Sequence, residues 1–261
     1  MRSPTTVPSR APLAMAAVSG LILFLLGLIT PPDGPEIGHA TADDVRSFVA
    51  ANDVALRLAA TTGVVAVIAL LAFTVACSAL VRADRSASLT AGLVGAGGVV
   101  LAVVQLLTVG VATLPRLLPG LVDTSLAAVP DETVRTWGDL VGLTHFLGDL
   151  QMALVALVVL ATAIAVLRRR VLPVWLGWVG LVIGSAAALG TLAITAAVEP
   201  LYAAWFVGLF GGWLWWLLVA IGAGVRLGRR HTAAGGEAPR EATATVPRAR
   251  DTADGALGRP E

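Results

Sequence analysis

The sequence has no lysine and little charge of either sign. All 18 basic residues are arginine, and charged residues fill only 13% of the 261 positions. A soluble domain carries about 25% charged residues, so this composition indicates a chain surrounded by the lipid bilayer. The net charge of +1 gives no reason to expect a polyanionic partner, and we expect no nucleic acid to bind. Abundant alanine, valine and arginine without lysine is typical of a GC-rich bacterial genome.

Cysteine and charged residues inside apolar segments are also scarce. Cys77 is the single cysteine, which excludes an intrachain disulfide and a cysteine-based metal site. No apolar stretch carries an ionisable residue near its middle, although such residues are the usual mark of ion pathways. No nucleotide-binding, zinc-protease or hydrolase motif is present. The sequence therefore favours a protein that is not an enzyme, and it predicts no catalytic residue, no cofactor and no metal.

Long apolar stretches are what the chain does contain. About 20 residues of helix cross a hydrocarbon core of roughly 30 Å, and a helix satisfies its own backbone hydrogen bonds in lipid. The fold prediction is an all-α, polytopic bundle of six transmembrane helices across 12–227. Segment 1–11 is a short N-terminal tail, and 228–261, poor in large apolar residues, is predicted to be disordered. The six predicted helices are 12–30, 58–81, 89–114, 142–167, 171–198 and 201–225.

The first stretch also resembles the apolar region of a signal peptide. Thr30, Pro31 and Pro32 follow it, and proline is a poor context for cleavage. We therefore expect an uncleaved first helix.

The arginines predict the orientation of the bundle. If the N-terminus is cytoplasmic, 14 of the 18 basic residues lie in cytoplasmic segments. This is the positive-inside pattern, and it places both termini in the cytoplasm of a cell whose plasma membrane holds the chain. The four arginines left outside are Arg46, Arg57, Arg116 and Arg135.

The two long outer loops each contain a segment with helical character. Thr41 followed three residues later by Asp44 is a helix-capping pattern, and Val45, Val49 and Leu56 follow at helical spacing. We expect a short amphipathic helix there. A similar piece is predicted over 131–143, with Trp137 as an anchor at the membrane interface.

Polar pairs supply the first candidate site. His145 and Asp149 are four residues apart, on one face at the outer end of the fourth helix. A carboxylate can orient an imidazole, which suits ligand binding or a proton relay. The alternative is that both side chains only satisfy a solvated helix start. Asp53 and Arg57 predict an i,i+4 ion pair, and Gln105 and Thr108 predict hydrogen bonds between helices.

An aromatic stripe on the last helix supplies the second candidate. Its residues follow one side of the helix and could line a groove for a lipid or another small molecule; the alternative is bulk that packs in the core or faces lipid. The residues assigned to this ligand-binding hypothesis are Tyr202, Phe206, Phe210 and Trp213.

Two glycine pairs have the four-residue spacing that lets helices approach closely in lipid. They are Gly180 with Gly184 and Gly208 with Gly212. Their small faces either pack against other helices of the same chain or form the contact of a homodimer.

The segment from Val171 to Gly184, which reads VLPVWLGWVGLVIG after the arginine turn, resembles a recurrent segment of six-span integral membrane proteins of actinobacteria. Residues 48–52, FVAAN, are similar to the piece that precedes the second helix in the same proteins. The resemblance covers about half of the chain. It implies a six-helix layout in a bacterial membrane family of unknown function, and it implies no activity.

Three functions remain open on these observations. The first is a structural, accessory or sensory membrane protein without enzymatic activity, because the helices lack polar residues at their middle. The second is a carrier of a lipid or small molecule, which would use the aromatic stripe and the His145 and Asp149 pair. The third, less supported, is a membrane-bound redox or metal enzyme.

Overall fold

A computed structural model describes residues 10–29, 40–82, 88–121, 125–199 and 202–235. All regular structure in these ranges is helical, and no strand occurs in them. Met1–Leu227 form one compact unit, and Gly228–Glu261 form a second. The helices are α1 (Arg10–Leu26), α2 (Ala42–Ala51), α3 (Asp53–Arg82), α4 (Ser88–Leu121), a 3-10 turn (Leu126–Ala128), α5 (Asp131–Arg169), α6 (Val174–Thr195) and α7 (Tyr202–Gly235).

Five of these helices are long and apolar enough to cross a membrane. They comprise Asp53–Arg82, Leu89–Leu114, Asp131–Arg169, Val174–Ile194 and Tyr202–Arg229. The all-α, membrane-type architecture predicted from the sequence is thereby confirmed. The predicted first span is shorter than expected, because α1 ends at Leu26 after 17 residues.

The six long helices form a closed ring in which neighbours run antiparallel. Along a pair, contacts advance in one helix as they go back in the next, for example from Gly97 with Leu157 to Thr108 with Gln151. α1 completes the ring because its Gly20 faces both Phe73 of α3 and Trp216 of α7. Contacts that define the other pairs are Thr74 with Gly98, Thr108 with Gln151, Gly184 with Leu160, and Gly208 with Ala187.

Alternation around the ring gives the bundle two distinct ends. The arginine side is the end that holds Arg10, Arg82, Arg168, Arg169, Arg170 and Arg226. There a guanidinium N–H of Arg226 donates to the carbonyl oxygen of Arg170. The loop side is the opposite end, which holds α2 and the 3-10 turn.

The half of the bundle towards the arginine side is closely packed. Its core contains Phe73, Leu80, Val94, Val159 and Trp215, all nearly inaccessible to solvent. Small residues allow this packing. A Cβ added to Gly180 would lie 2.5 Å from the Trp215 ring.

All four glycines of the two predicted pairs contact neighbouring helices of the same chain. Gly180 faces Trp215 and Ala163, and Gly184 faces Leu160. Gly208 faces Ala187, and Gly212 faces Val155. The homodimer contact through these residues stays a prediction.

Helix α5 replaces two predicted elements with one. The sequence predicted separate pieces over 131–143 and 142–167, whereas the structure has a single helix of 39 residues. Asp131 and Glu132 in its first turn favour a start there, because carboxylates stabilise the positive end of the helix dipole. The helix ends where Arg170 adopts a left-handed conformation, with φ of 53°. Pro173 then precedes α6, so the predicted start at 171 shifts to Val174.

The last helix continues beyond its predicted end at residue 225. α7 extends to Gly235, which brings helix into the start of the segment predicted to be disordered. Residues 236–261 lie outside the described ranges, so disorder there stays a prediction.

Helix α2 confirms the predicted capping pattern. The Asp44 backbone N–H donates to the Thr41 hydroxyl oxygen, and the Thr41 backbone N–H donates to the Asp44 carboxylate at 2.8 Å. Val45 of α2 is buried against Val129 and Val134. Arg46 bonds the Val129 carbonyl and the Asp131 carboxylate, at 2.8 and 2.7 Å. These contacts fix α2 on the first turns of α5.

Candidate ligand-binding cavity

A cavity of about 670 Å³ lies in the half of the bundle towards the loop side. Each of the six long helices, or the turn that follows it, contributes to its wall. Most of that wall is apolar, and several wall positions are small: Gly63, Ala66, Ala112, Gly148 and Gly208. An added Cβ would meet nothing within 4 Å at Gly148, whereas Gly63 is in close contact with Val109 and Gly208 with Ala187.

The cavity extends from the loop side to about the middle of the bundle. At 1.5 Å of rise per residue, Leu70 in its wall lies about 18 Å along α3 from Arg82. Thr62, also in the wall, lies about 30 Å from that arginine. Between Leu70 and the arginine side, the packed core fills the bundle.

Polar side chains in the wall come mainly from α4 and α5. The Gln151 side-chain N–H donates to the Thr108 hydroxyl oxygen across these two helices, at 2.7 Å. Gln105 and Asp149 also line the cavity. On α5, positions 144, 148, 151, 152 and 155 face it at the three- and four-residue spacing of one helix face. This spacing brings the polar side chains of Thr144 and Gln151 to the inner side of the helix, beside apolar Met152 and Val155.

Helix α7 supplies an aromatic wall that its neighbours hold in place. The Trp213 ring stacks on Phe24 with centroids 4.5 Å apart, and its indole N–H donates to the Phe24 carbonyl oxygen at 3.0 Å. Trp216 meets the edge of Phe73 at 5.0 Å. Trp205 completes this wall, and its buried indole N–H has no hydrogen-bond partner among the described residues.

An ion cluster lies at the loop side of the bundle. The predicted pair of Asp53 and Arg57 is confirmed, with nitrogen and oxygen 2.9 Å apart. Asp53 also accepts from Arg116 of α4, a partner that the sequence did not predict. The cluster joins α3 to α4 and engages both arginines with one carboxylate.

The structure separates the residues assigned to the ligand-binding hypothesis. Asp149 and Trp213 line the main cavity. Tyr202 and Phe206 line a smaller space of about 240 Å³. Phe210, 61% exposed, lines neither of these spaces. His145 belongs to α5, but its side chain lies outside the described part of the structure.

The ligand-binding hypothesis missed most of the cavity wall, including Gln151, Trp205 and Thr108. Gln151 is polar in an apolar run, which was a usable signal. Trp205 was not among the residues assigned to the aromatic stripe, yet together with Ile194 it borders both spaces. Thr108 was expected to hydrogen-bond between helices, and it does so with Gln151. The spacing of residues in the sequence could not show that Thr108 lines a cavity.

The cavity wall has the character of a site for a partly apolar molecule. An apolar space with a few polar groups at one end suits a molecule that is itself partly apolar. Within the described ranges, no three His, Cys, Asp or Glu side chains are grouped closely enough to hold a metal ion. No protein-family model matches the chain, and no curated protein or solved structure matches it.

Proposed function

We propose that this chain is a six-span integral membrane protein of the plasma membrane. The proposal adds α1 to the five longer helices. Leu13, Ala16 and Leu23 of α1 are buried in the bundle, and backbone hydrogen bonds continue its last turn as far as Ile29. From Arg10 to Ile29 the segment would extend about 30 Å, which matches the hydrocarbon core.

Both ends of the chain then lie in the cytoplasm. The support is the charge of the arginine side, where short turns carry Arg82 and the run from Arg168 to Arg170. Short loops rich in arginine remain on the cytoplasmic side. On the loop side, acidic partners hold three of the arginines, namely Arg46, Arg57 and Arg116.

Reporter fusions test this topology. A green fluorescent protein fused after Gly235 should fluoresce, and alkaline phosphatase fused there should be inactive. Alkaline phosphatase inserted after Ala128 should be active. Phosphatase activity at Gly235 would overturn the orientation, and equal activity on both sides of α1 would overturn its assignment as a span.

We infer further that the protein binds a small amphipathic molecule, such as a lipid, in the main cavity. The observation that carries this function is the cavity itself: about 670 Å³, within the roughly 300–1,000 Å³ of ligand sites. A purely structural bundle gains nothing from such a space, because each unfilled volume loses packing contacts. The carrier alternative is therefore favoured over a structural or accessory role.

Ala112 offers a way to fill the cavity without disturbing the packed half. Ala112→Phe places a ring into the space from α4, whereas Ala96→Phe places the same ring on an exposed position of that helix. Native mass spectrometry of the detergent-purified chain would count bound lipid. We expect bound lipid in the wild type and in Ala96→Phe, and at least a tenfold loss in Ala112→Phe.

Two outcomes would contradict this function. One is a wild-type chain that retains no lipid and binds neither a lipid nor a single-chain amphiphile when these are added. The other is equal lipid binding by the two phenylalanine variants while both remain monodisperse. A chromophore or metal in the purified chain would instead support the enzyme alternative.

A further inference from the structure

Asp149 is the one ionisable side chain among the described residues of the cavity wall. Every other described wall residue is apolar or carries a neutral amide, hydroxyl or indole. Whatever occupies this space therefore meets one negative charge in apolar surroundings.

The described part of the chain provides no partner for this charge. The Asp149 carboxylate makes no ion pair and accepts no hydrogen bond from a described residue. The nearby amide of Gln151 donates to Thr108 instead. The arginines that lie on the loop side of α3 and α4 are bound to Asp53. A partly buried carboxylate without a partner is costly, and a bound cation removes that cost.

The remaining wall is suited to an organic cation. Trp205, Trp213 and Trp216 line the space from α7, and indole faces attract ammonium groups more strongly than other aromatic rings do. Leu70, Leu101 and Val155 line the deeper end, where an aliphatic chain would be in contact with apolar side chains. Charge at one end and apolar surface at the other match a molecule with a cationic head and a hydrocarbon tail.

We propose that the cavity selects amphiphiles with an ammonium head, and that Asp149 binds that head while the tail lies between the helices. This inference rests on the proposed ligand-binding function and names its ligand class. Asp149 lies about 28 Å along α5 from Arg168, so the head would be held near the loop-side boundary of the membrane. The tail would then point towards the middle of the bundle.

The test compares two probes of equal chain length at neutral pH. Dodecylamine carries the ammonium group, and 1-dodecanol is its neutral counterpart. Binding to the full chain in a non-ionic detergent is followed by native mass spectrometry and by the midpoint of thermal unfolding. We expect the wild type to bind dodecylamine about tenfold more tightly than 1-dodecanol, since a hydrogen bond between charged groups is worth about that factor.

Two variants separate the role of this carboxylate from a general effect of charge. Asp149→Asn should remove the preference for dodecylamine and leave 1-dodecanol binding within about twofold of the wild type, because the change removes charge and keeps the side-chain shape. Asp139→Asn removes the same charge from an exposed position of α5 outside the cavity wall. This control should keep the full preference.

Nanodiscs distinguish a bilayer lipid from a free amine as the source of the ammonium group. If phosphatidylethanolamine is the ligand, it should copurify with the wild type from mixed nanodiscs and be depleted in Asp149→Asn. Phosphatidylglycerol should copurify with neither protein. If the ligand is a free amine, neither lipid is retained and dodecylamine still binds with the stated preference.

The outcomes separate failure of this inference from failure of the proposed function. Equal binding of both probes by the wild type and by Asp149→Asn would overturn the ammonium assignment and leave the ligand-binding function standing. If the wild type bound neither probe and no lipid, both the ammonium assignment and the ligand-binding function would be overturned. A preference that Asp139→Asn also loses would mean that surface charge, rather than the cavity, selects the amine.

Discussion

Two glycines, one in each half of the bundle, have opposite surroundings. Towards the arginine side, Gly180 lets α6 approach the Trp215 ring so closely that no Cβ could fit. Towards the loop side, an added Cβ at Gly148 would meet nothing within 4 Å, and this glycine borders the cavity. One glycine closes the bundle and the other helps to leave it open. The difference agrees with the proposal that the open half binds a ligand while the closed half maintains the fold.

The largest expected effect comes from filling the closed half. In Gly180→Leu, the new side chain collides with Trp215, which is fully buried and has no room to move. Overpacking of this kind costs about 3 kcal/mol. We expect a lower yield and a clearly lower unfolding midpoint in mixed detergent micelles.

Gly148→Leu makes the same chemical change in the open half. Because the space around Gly148 is empty, the variant should keep the wild-type unfolding midpoint and lose bound lipid. Gly92→Leu, at an exposed position of α4 with no neighbour within 4 Å, serves as the control for adding bulk to a helix. If Gly148→Leu unfolded as easily as Gly180→Leu, the contrast between the halves would be wrong.

Removing a leucine should sharpen the comparison with a smaller effect. Leu80 is 2% exposed in the packed core, and Leu80→Ala should cost about 2 kcal/mol through lost contacts and the cavity left behind. Leu209 is 41% exposed and lines the main cavity. Leu209→Ala should cost less than about 1 kcal/mol, because it enlarges a space that already exists.

Equilibrium unfolding in detergent mixtures measures both leucine variants. Leu189 is 46% exposed on the outside of the bundle. Leu189→Ala is the control that measures how much stability is lost when an exposed leucine is removed. Equal losses at Leu80 and Leu209 would mean that the loop-side half is packed as tightly as the other. A destabilised Leu209→Ala that regains stability when lipid is added would instead support the ligand-binding function.

Local features of this fold were predictable from the sequence, and contacts between helices were not. The capping pair of Thr41 and Asp44 depends on three-residue spacing, which the sequence displays directly. Long apolar stretches likewise predict spans, since length and composition decide whether a helix can cross lipid. Gly180 and Gly148 look alike in the sequence, because nothing local says which helix, if any, faces each glycine.

The candidate site was predicted in part for the same reason. Asp149 attracts notice as a charged residue beside an apolar run, and the structure brings it into the cavity wall. Trp205 did not enter the hypothesis, although it lines that wall, because its direction depends on the rotation of α7. Close contacts of Gly190 with Trp205 and of Gly208 with Ala187 set that rotation. Such contacts join residues far apart in the chain.

A smaller effect is expected from the hydrogen bond that crosses the cavity wall. Thr108→Val removes the acceptor of the Gln151 amide. Hydrogen bonds between membrane helices contribute about 0.6 kcal/mol on average, so we expect a loss of that size. A double-mutant cycle with Gln151→Leu isolates the pair, and a coupling near zero would mean that the two side chains contribute independently. Thr191→Val, at a position outside the cavity wall, is the control for losing a hydroxyl.

The smallest expected effect concerns the cap of α2 and depends on pH. Hydrogen bonds from the Thr41 hydroxyl and backbone N–H hold the pKa of Asp44 below its ordinary value of 3.8. The folded helix therefore binds a proton less tightly than the unfolded segment does. The cap stabilises α2 fully above the ordinary pKa, and this contribution is lost as the pH falls through the lowered pKa.

Hydrogen exchange of the first-turn amides of α2 reports this local loss. Because α2 lies outside the spanning helices, we expect protection of its first turn to fall in acid while protection in the packed half stays unchanged. Asp44→Asn removes the titrating group, so its remaining protection should no longer change over that pH range. Asp139→Asn, at an exposed carboxylate of α5, should behave as the wild type does. If acid reduced exchange protection equally in α2 and around Leu80, the loss would be global unfolding, and the cap would not be a separate unit of stability.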